Sequence, residues 1–198
     1  MKKILFSLAA LSAFGWAQAQ EQEGGKGFSK NDVFISGSMG LSSDKTGDNK
    51  NTYFNVTPRV GYFVSENIAI GAQLGYNSSK SEAGSFEAKR TGFSGGLFGR
   101  YYVKPANDFS LFAQLSATYS TTKTEDDNQG NDVTRNGFGL GLAPGISYFV
   151  SEHFALEATF GFLNYGTSKP DVDGADSTDT FSIGLDTSAI QLGLIYKF

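Results

Sequence analysis

Apolar residues in this chain recur at every second position rather than in continuous runs. A representative segment reads Ile68, Ile70, Ala72, Leu74 and Tyr76, with small or polar residues between them. Successive side chains of a β-strand point to opposite faces, so this spacing gives each strand one apolar and one polar face. No apolar run beyond the first twenty or so residues approaches the length of a membrane-spanning helix, about 20 residues. We therefore predict an all-β chain.

An internal repeat indicates how many strands there are. The segment 62–66, YFVSE, recurs at 148–152, and a related unit lies at 101–105. These segments are predicted as three short turns on one side, which implies eight strands if both ends of the sheet lie on that side. The predicted strands are 33–42, 52–64, 68–77, 92–103, 109–120, 135–150, 154–164 and 188–198.

Four polar segments rich in Ser, Thr, Asn, Asp, Lys and Gly separate the other ends of these strands. They are 43–51, 78–91, 121–134 and 165–180, and we expect them to be long loops. Short turns on one side and long polar loops on the other predict an eight-stranded antiparallel up-and-down β-barrel that spans a membrane.

Alternation alone does not decide which face is wet, because a soluble barrel has an apolar interior. The polar face here consists mostly of small residues and Gln, whereas a solvent-exposed face would need many Lys and Glu. Aromatic residues also gather next to the short turns, as a membrane-interface girdle requires. They are Tyr62, Phe63, Tyr101, Tyr102, Tyr148, Phe149, Phe154, Tyr196 and Phe198.

The amino-terminal segment predicts export. Residues 1–19 have a basic start, an apolar stretch and small residues ahead of a cleavage site, which is typical of a secretory signal peptide. Residues 20–30 are predicted as a flexible periplasmic lead-in, and 31–198 as the barrel domain. The chain has 16 Lys and Arg residues, of which Lys2 and Lys3 belong to the signal peptide, and 20 Asp and Glu residues. After removal of residues 1–19 the net charge is therefore 14 − 20 = −6. Nucleic acid is therefore not an expected partner.

The carboxy terminus carries polar Gln191, then Gly193, Tyr196 and terminal Phe198. This pattern resembles the carboxy-terminal signal of bacterial outer-membrane β-barrels, which the barrel-assembly machinery recognises. Over residues 31–198 the chain resembles the small eight-stranded outer-membrane barrels, the family of outer-membrane protein X and of the membrane domain of outer-membrane protein A. No peptidoglycan-binding domain follows Phe198, so we do not expect a wall-tethering role.

The resemblance implies an integral protein of the Gram-negative cell outer membrane. Its expected partners are outer-membrane lipids, lipopolysaccharide, the barrel-assembly machinery, and a surface ligand or host receptor that the loops contact. The implied role is structural or surface-interacting: membrane integrity, or adhesion at the cell surface through extracellular loops. The alternative is a porin-like role as a narrow channel or transporter for small or hydrophobic solutes.

Six polar residues on the inward face are predicted to form a lumen network. They are Arg59, Arg100, Glu157, Gln73, Gln114 and Gln191. The charged residues lie at similar distances from their short turns, with the glutamines in a layer above. An eight-stranded barrel is just wide enough for side chains to fill, so these groups must bond one another or water. A structural plug is the first interpretation, and an ion gate is the alternative.

Catalysis and metal binding are not expected. The only histidine, His153, lies in a predicted turn, and its sequence neighbours Ser151 and Glu152 do not make a catalytic triad. Segment 171–174, DVDG, faintly resembles a calcium loop, but its glycine comes too early and Ser182 stands where the closing Glu should be. We predict no cofactor and no specific metal site, and interpret the acidic loop residues as solvated.

Local irregularities are expected at two prolines and near one change of phase. Pro58 and Pro144 occupy equivalent positions in the two repeats, where each removes a backbone donor from its strand. Upstream of Ser188 the apolar phase flips, so a bulge or a hairpin extension is predicted near 186–188.

Overall fold

The computed structural model describes residues 25–84, 86–126, 132–161, 163–172, 174–184 and 190–198. In these residues it contains strands with the following bounds: β1 (Val33–Thr46), β2 (Asn49–Phe63), β3 (Ile68–Ala83), β4 (Phe86–Val103), β5 (Phe109–Asp126), β6 (Val133–Phe149), β7 (Phe154–Phe160), β8 (Leu163–Pro170), β9 (Thr178–Ile183) and β10 (Ile190–Lys197). Within these ranges no helix is long and apolar enough to span a membrane.

The predicted fold is confirmed: the strands form a closed eight-stranded antiparallel barrel. Each strand from β1 to β6 pairs with the next, β6 pairs with both β7 and β8, and β8 pairs with β9. β7 also pairs with β10. Thus β7 and β8 together occupy one position in the wall, and β9 and β10 together occupy the next, so the ten strands make eight positions. The barrel closes where β1 pairs with β10, from Phe34 opposite Lys197 to Ser38 opposite Gly193.

Strand residues extend into all four predicted loops, and two of the loops are reduced to tight turns. β1 and β2 stay paired until Thr46 lies opposite Asn49, and β3 and β4 until Ala83 lies opposite Phe86. The predictions of long loops at 43–51 and 78–91 are therefore wrong. Both turns contain a glycine with positive φ, Gly47 in one and Gly84 in the other. Positive φ is the backbone conformation that tight hairpin turns require. Their Ser- and Thr-rich strands continue the ladder beyond the apolar band.

The outward face matches the prediction. Leu74, Leu111 and Leu115 are all at least half exposed on the outside of the barrel, as expected of side chains that contact lipid. On β5 the outward aromatics Phe109 and Tyr119 lie ten residues apart. At about 3.3 Å per residue and a tilt of roughly 40°, that is about 25 Å of membrane thickness, the height of an outer-membrane apolar band.

The aromatic residues beside the short turns do not all belong to the interface girdle. Tyr62, Tyr101 and Tyr148 point outward, but their neighbours Phe63, Tyr102 and Phe149 are fully buried inside the barrel. Neighbouring side chains on a strand alternate between faces, so a pair of consecutive aromatics places one ring on each side. The prediction is wrong for these inward rings.

Both prolines interrupt the pairing on one side of their strand. Between β2 and β3 the ladder runs from Val56 opposite Tyr76 directly to Arg59 opposite Gln73, omitting Pro58. Pro144 lies at the step where β6 changes partner from β7 to β8. These are the expected effects of a missing donor. The phase change predicted near 186–188 lies outside the described residues.

Candidate functional site in the barrel lumen

Arg100 and Glu157 form a two-point ion pair across the lumen. Arg100 Nη1 donates to Glu157 Oε2 at 2.6 Å and Nη2 donates to Oε1 at 3.0 Å. Arg100 also donates from Nε to Gln114 Oε1 at 2.8 Å and from Nη1 to the Tyr102 hydroxyl at 3.0 Å. Both charged residues are buried. Each guanidinium nitrogen thus has an acceptor, as a buried charge pair requires.

Arg59 lies beside this pair with weaker contacts. Its Nη1 is 3.8 Å from Glu157 Oε1 and donates to Ser38 Oγ at 3.3 Å, while Nε donates to Gln73 Oε1 at 3.3 Å. Ser38 in turn donates to Gln191 Oε1 at 3.4 Å. The structure therefore brings all six predicted lumen residues into one connected network.

The same local arrangement occurs twice in this network. Arg59 lies directly opposite Gln73 on the neighbouring strand, and Arg100 lies directly opposite Gln114. Each pair flanks a short turn, so the hairpin register sets both contacts. The expectation of a separate glutamine layer is wrong for these two residues, because each amide lies beside its arginine.

An aromatic cluster fills the lumen between the ion pair and the end of the barrel that carries the short turns. Its buried members are Phe28, Phe34, Phe63, Phe98, Tyr102, Phe112 and Phe149. The Arg100 guanidinium carbon lies 4.6 Å from the ring centre of Phe112 and 5.2 Å from that of Phe98, within the range of cation–π attraction. Phe112 and Phe98 lie opposite Gly145 and Gly71 on the next strands. A larger residue at either glycine would meet the ring.

Phe28 comes from the segment predicted as a flexible lead-in. Its ring centre is 4.6 Å from that of Phe63 and 4.8 Å from that of Phe149, and its backbone N–H donates to the carbonyl of Pro105 at 2.7 Å. The part of the lead-in that the structure describes, from residue 25, is therefore docked against the barrel. The prediction of flexibility is wrong there, and the single Phe in that polar segment was the available signal.

Lys197 and Asp32 hold this docked segment in place. Lys197 Nζ donates to the carbonyls of Gly27 at 2.7 Å and Gly25 at 3.2 Å, and lies 3.9 Å from Asp32 Oδ2. Burial raises the pKa of the Asp32 carboxyl above its ordinary value, and the Ser29 N–H and the Lys197 charge offset this only in part. These contacts close the end of the barrel that carries the short turns.

A cavity of about 600 Å³ opens on the other side of the network. Arg59, Gln73, Gln114 and Gln191 line its inner end, and Ser, Thr and Asn side chains line its walls. Its inner end is formed by residues that contact the ion pair, Arg59 and Gln114, and the aromatic cluster lies on the other side of that pair. The lumen is therefore a blind cavity above a filled base, without a continuous path between the two ends of the described barrel.

The other residues considered from the sequence do not assemble into a reactive site. His153 Nδ1 lies 2.9 Å from the carbonyl oxygen of Lys197, and Ser151 Oγ accepts the Phe154 N–H. Among the described residues there is no group of three or more His, Cys, Asp or Glu that could hold a metal ion. Asp173 and Asp127, from the two acidic segments, lie outside those residues.

The predicted assembly residues lie on the closing strand. Gln191 and Gly193 face the lumen, whereas Tyr196 packs on Phe154 and Phe198, with ring centres 5.1 Å and 5.0 Å apart. The Phe198 N–H donates to the carbonyl of Val33 at 3.0 Å. The strand that carries these residues thus completes the barrel.

A closed barrel with an apolar outer band, aromatic interface residues and a polar-lined lumen defines an integral membrane β-barrel protein. A family model described as the outer membrane protein beta-barrel domain matches residues 6–198. The chain belongs to this family and is an outer-membrane protein.

Solved structures with the same fold have low sequence identity. The outer membrane protein OprG from Pseudomonas aeruginosa is 17% identical, with 88% of this chain and 99% of that chain covered and a TM-score of 0.56. A major outer membrane protein from Thermus thermophilus is 14% identical, with 84% and 98% covered and a TM-score of 0.50. No curated protein matches the chain.

Proposed function

We propose that this protein has a structural and surface-presenting role in the outer membrane. The observation that carries the proposal is the filled base of the lumen, where the Arg100–Glu157 pair rests on the aromatic cluster. A barrel without a through-path can act through its lipid-facing wall and through what it presents at the cell surface. The structure offers both: an apolar band on the described strands, and hairpins whose polar strands extend beyond it.

The hairpins supply a surface for contacts outside the membrane. In the β3–β4 hairpin Lys80 bridges Glu82 and Glu87, with N–O distances of 2.6 and 3.0 Å. In the next hairpin Lys123 contacts Glu125 and Asp132 at 2.8 and 2.6 Å. These ion pairs lie on polar strands that present charged groups of both signs. We propose lipopolysaccharide and a surface ligand or host receptor as their partners.

We also propose that export and assembly depend on signals at the two ends of the chain. Residues 1–19 would direct secretion across the inner membrane, and Gln191, Gly193, Tyr196 and Phe198 would be recognised by the barrel-assembly machinery. We propose no enzymatic role, which the engagement of His153 with a backbone carbonyl supports. The second candidate function, a narrow channel or transporter, is favoured only by the cavity above Arg59.

The test distinguishes the contribution of the barrel wall from the contribution of the hairpins. Residues 43–52 and 78–91 are each replaced by Asn-Gly, which keeps Ser42 opposite Tyr53 and Asn77 opposite Gly92 with a two-residue turn between them. A strain lacking the protein is complemented with the full or the trimmed chain, and detergent sensitivity and retention on collagen-coated plates are measured. We expect both chains to restore detergent resistance and only the full chain to support retention. If neither chain changes either property, the proposal is wrong.

A further inference from the structure

The barrel wall is unpaired along part of one seam. β1 pairs with β10 only as far as Ser38 opposite Gly193, although both strands continue. Beyond that point Met39 and Leu41 pair only with β2, and Ile190 and Leu192 pair only with β7. The two described edges therefore lie next to each other without a ladder.

This seam lies in the outer half of the apolar band. Leu41 is directly opposite Phe54, and Met39 opposite Val56, on the lipid-facing side of β2. Phe54 packs near Tyr76, which in turn packs near Phe93, in the outer row of aromatics. Unpaired backbone at membrane depth is tolerated only where protein or a wet cavity satisfies it. The seam thus needs a polar-lined space behind it.

The cavity above the ion pair is that space. Its lining includes Ser38, Gln191 and Arg59 from the inward face, together with Met39, Leu41 and Ile190 at the seam. Its volume of about 600 Å³ falls within the usual range for small-molecule sites, roughly 300–1,000 Å³. The cavity therefore joins a polar inner end to an apolar opening that faces lipid.

The inner end of the cavity carries excess positive charge. Among the described residues two guanidinium groups, Arg59 and Arg100, face the single carboxylate of Glu157. Arg100 takes both carboxylate oxygens at hydrogen-bond distance, whereas Arg59 comes no closer than 3.8 Å. Arg59 donates only to the neutral groups of Gln73 and Ser38. A buried guanidinium whose hydrogen-bond acceptors are neutral, and whose nearest carboxylate is already taken by another arginine, is a strong site for a further carboxylate oxygen.

We propose that this cavity binds a single-chain amphiphile with a carboxylate head. The carboxylate accepts hydrogen bonds from Arg59 and the surrounding amide and hydroxyl groups. The alkyl chain leaves between Met39 and Leu41 on one side and Ile190 on the other, into the outer leaflet. This site goes beyond the proposed structural role and does not require it, because binding in a blind cavity needs no transport.

The experiment uses the refolded barrel in zwitterionic lipid nanodiscs, with radiolabelled palmitate as the probe and protein-free nanodiscs to subtract partitioning. Palmitate is expected to bind saturably, and hexadecanol and acetate much more weakly. Arg59→Gln should weaken palmitate binding by roughly ten- to hundredfold, the contribution of a charged hydrogen bond. The exposed Arg90→Gln is the matched control, and a heat-modifiability gel confirms that each variant is folded.

A second test closes the seam reversibly with a disulfide bond. Because the open and closed forms are the same variant, a difference in binding between them does not arise from a failure to fold. The register that pairs Ser38 with Gly193 would bring Met39 opposite Leu192 if the seam closed. The chain has no cysteine, so a Met39→Cys, Leu192→Cys variant can be locked by oxidation and reopened by reduction. Palmitate should bind the reduced form and not the oxidised form. Equal binding by both forms, by Arg59→Gln and wild type, or of acetate and palmitate, would overturn the proposal.

Discussion

Arg100 and Glu157 lie on strands at opposite sides of the lumen and are joined by two hydrogen bonds of 2.6 and 3.0 Å. Below them the guanidinium group contacts Phe112, and above them the lumen widens into a blind cavity. This pair therefore divides a filled base from an open outer half. A substitution that breaks this pair is therefore expected to have a large effect on stability.

Glu157→Gln should destabilise the folded barrel by about 3–5 kcal/mol, because it leaves the buried Arg100 charge without its counter-ion. Urea unfolding in detergent micelles measures the change. Glu125→Gln removes a partner of Lys123 in an exposed ion pair and is expected to cost at most about 1 kcal/mol. Equal losses in the two variants would contradict the interpretation of the lumen pair.

Phe28→Ala should destabilise the protein by about 3–5 kcal/mol, the usual cost of removing a buried aromatic ring. It should also release the docked segment, since Phe28 supplies that segment's buried contacts. Limited trypsin digestion measures the release as faster cleavage at Lys26 and Lys30. The matched control is Ser29→Ala, at an exposed position that leaves both cleavage sites intact, for which stability and the rate of cleavage should stay unchanged. Protease resistance of Phe28→Ala equal to that of wild type would show that the segment is held by other contacts.

Asp32 should give the barrel a measurable dependence of stability on pH. Its pKa is raised in the folded state, so the folded protein holds this proton more tightly than the unfolded chain does. The stabilisation is fully present below the ordinary pKa of 3.8 and is lost as pH rises through the raised value. Unfolding of wild type and Asp32→Asn, compared from pH 3 to about 7, should show this decline in the wild type alone. The exposed Glu66→Gln should keep the wild-type slope.

Leu97→Arg should cost about 2–4 kcal/mol of stability in lipid, because it places a charge within the apolar band. Thr91 lies on the same face of the same strand, beyond Phe93. Thr91→Arg should therefore cost no more than about 1 kcal/mol of stability. Unfolding of both variants in phospholipid vesicles provides the comparison. A cost for Thr91→Arg as large as that for Leu97→Arg would place the membrane boundary elsewhere.

Sequence periodicity was sufficient to predict the barrel and the direction of most side chains. The polar lumen residues were predictable too, since Arg59, Arg100 and Glu157 each interrupt an inward face of small residues. Which arginine takes both oxygens of Glu157 was not predictable. That choice depends on stagger between strands that are distant in the chain, and a local pattern contains no information about it.

The aromatic base shows a second limit. In a pair such as Phe63 and Tyr62, composition alone suggests two girdle residues, whereas the pleat turns one of them inward. Phe28 lies outside any periodic segment, so only the three-dimensional closure of the barrel reveals its role. The extended hairpins were missed because polar Ser- and Thr-rich strands have no apolar alternation to detect.

Single-channel conductance in a planar bilayer tests the central claim, that the base of the lumen is sealed. The refolded protein is reconstituted into the bilayer, and a heat-modifiability gel on the same sample confirms that the barrel is folded. Membranes that contain folded wild-type protein are expected to stay silent. Discrete, reproducible openings from the folded protein would contradict it, because the Arg100–Glu157 pair and the aromatic cluster would then not block the lumen.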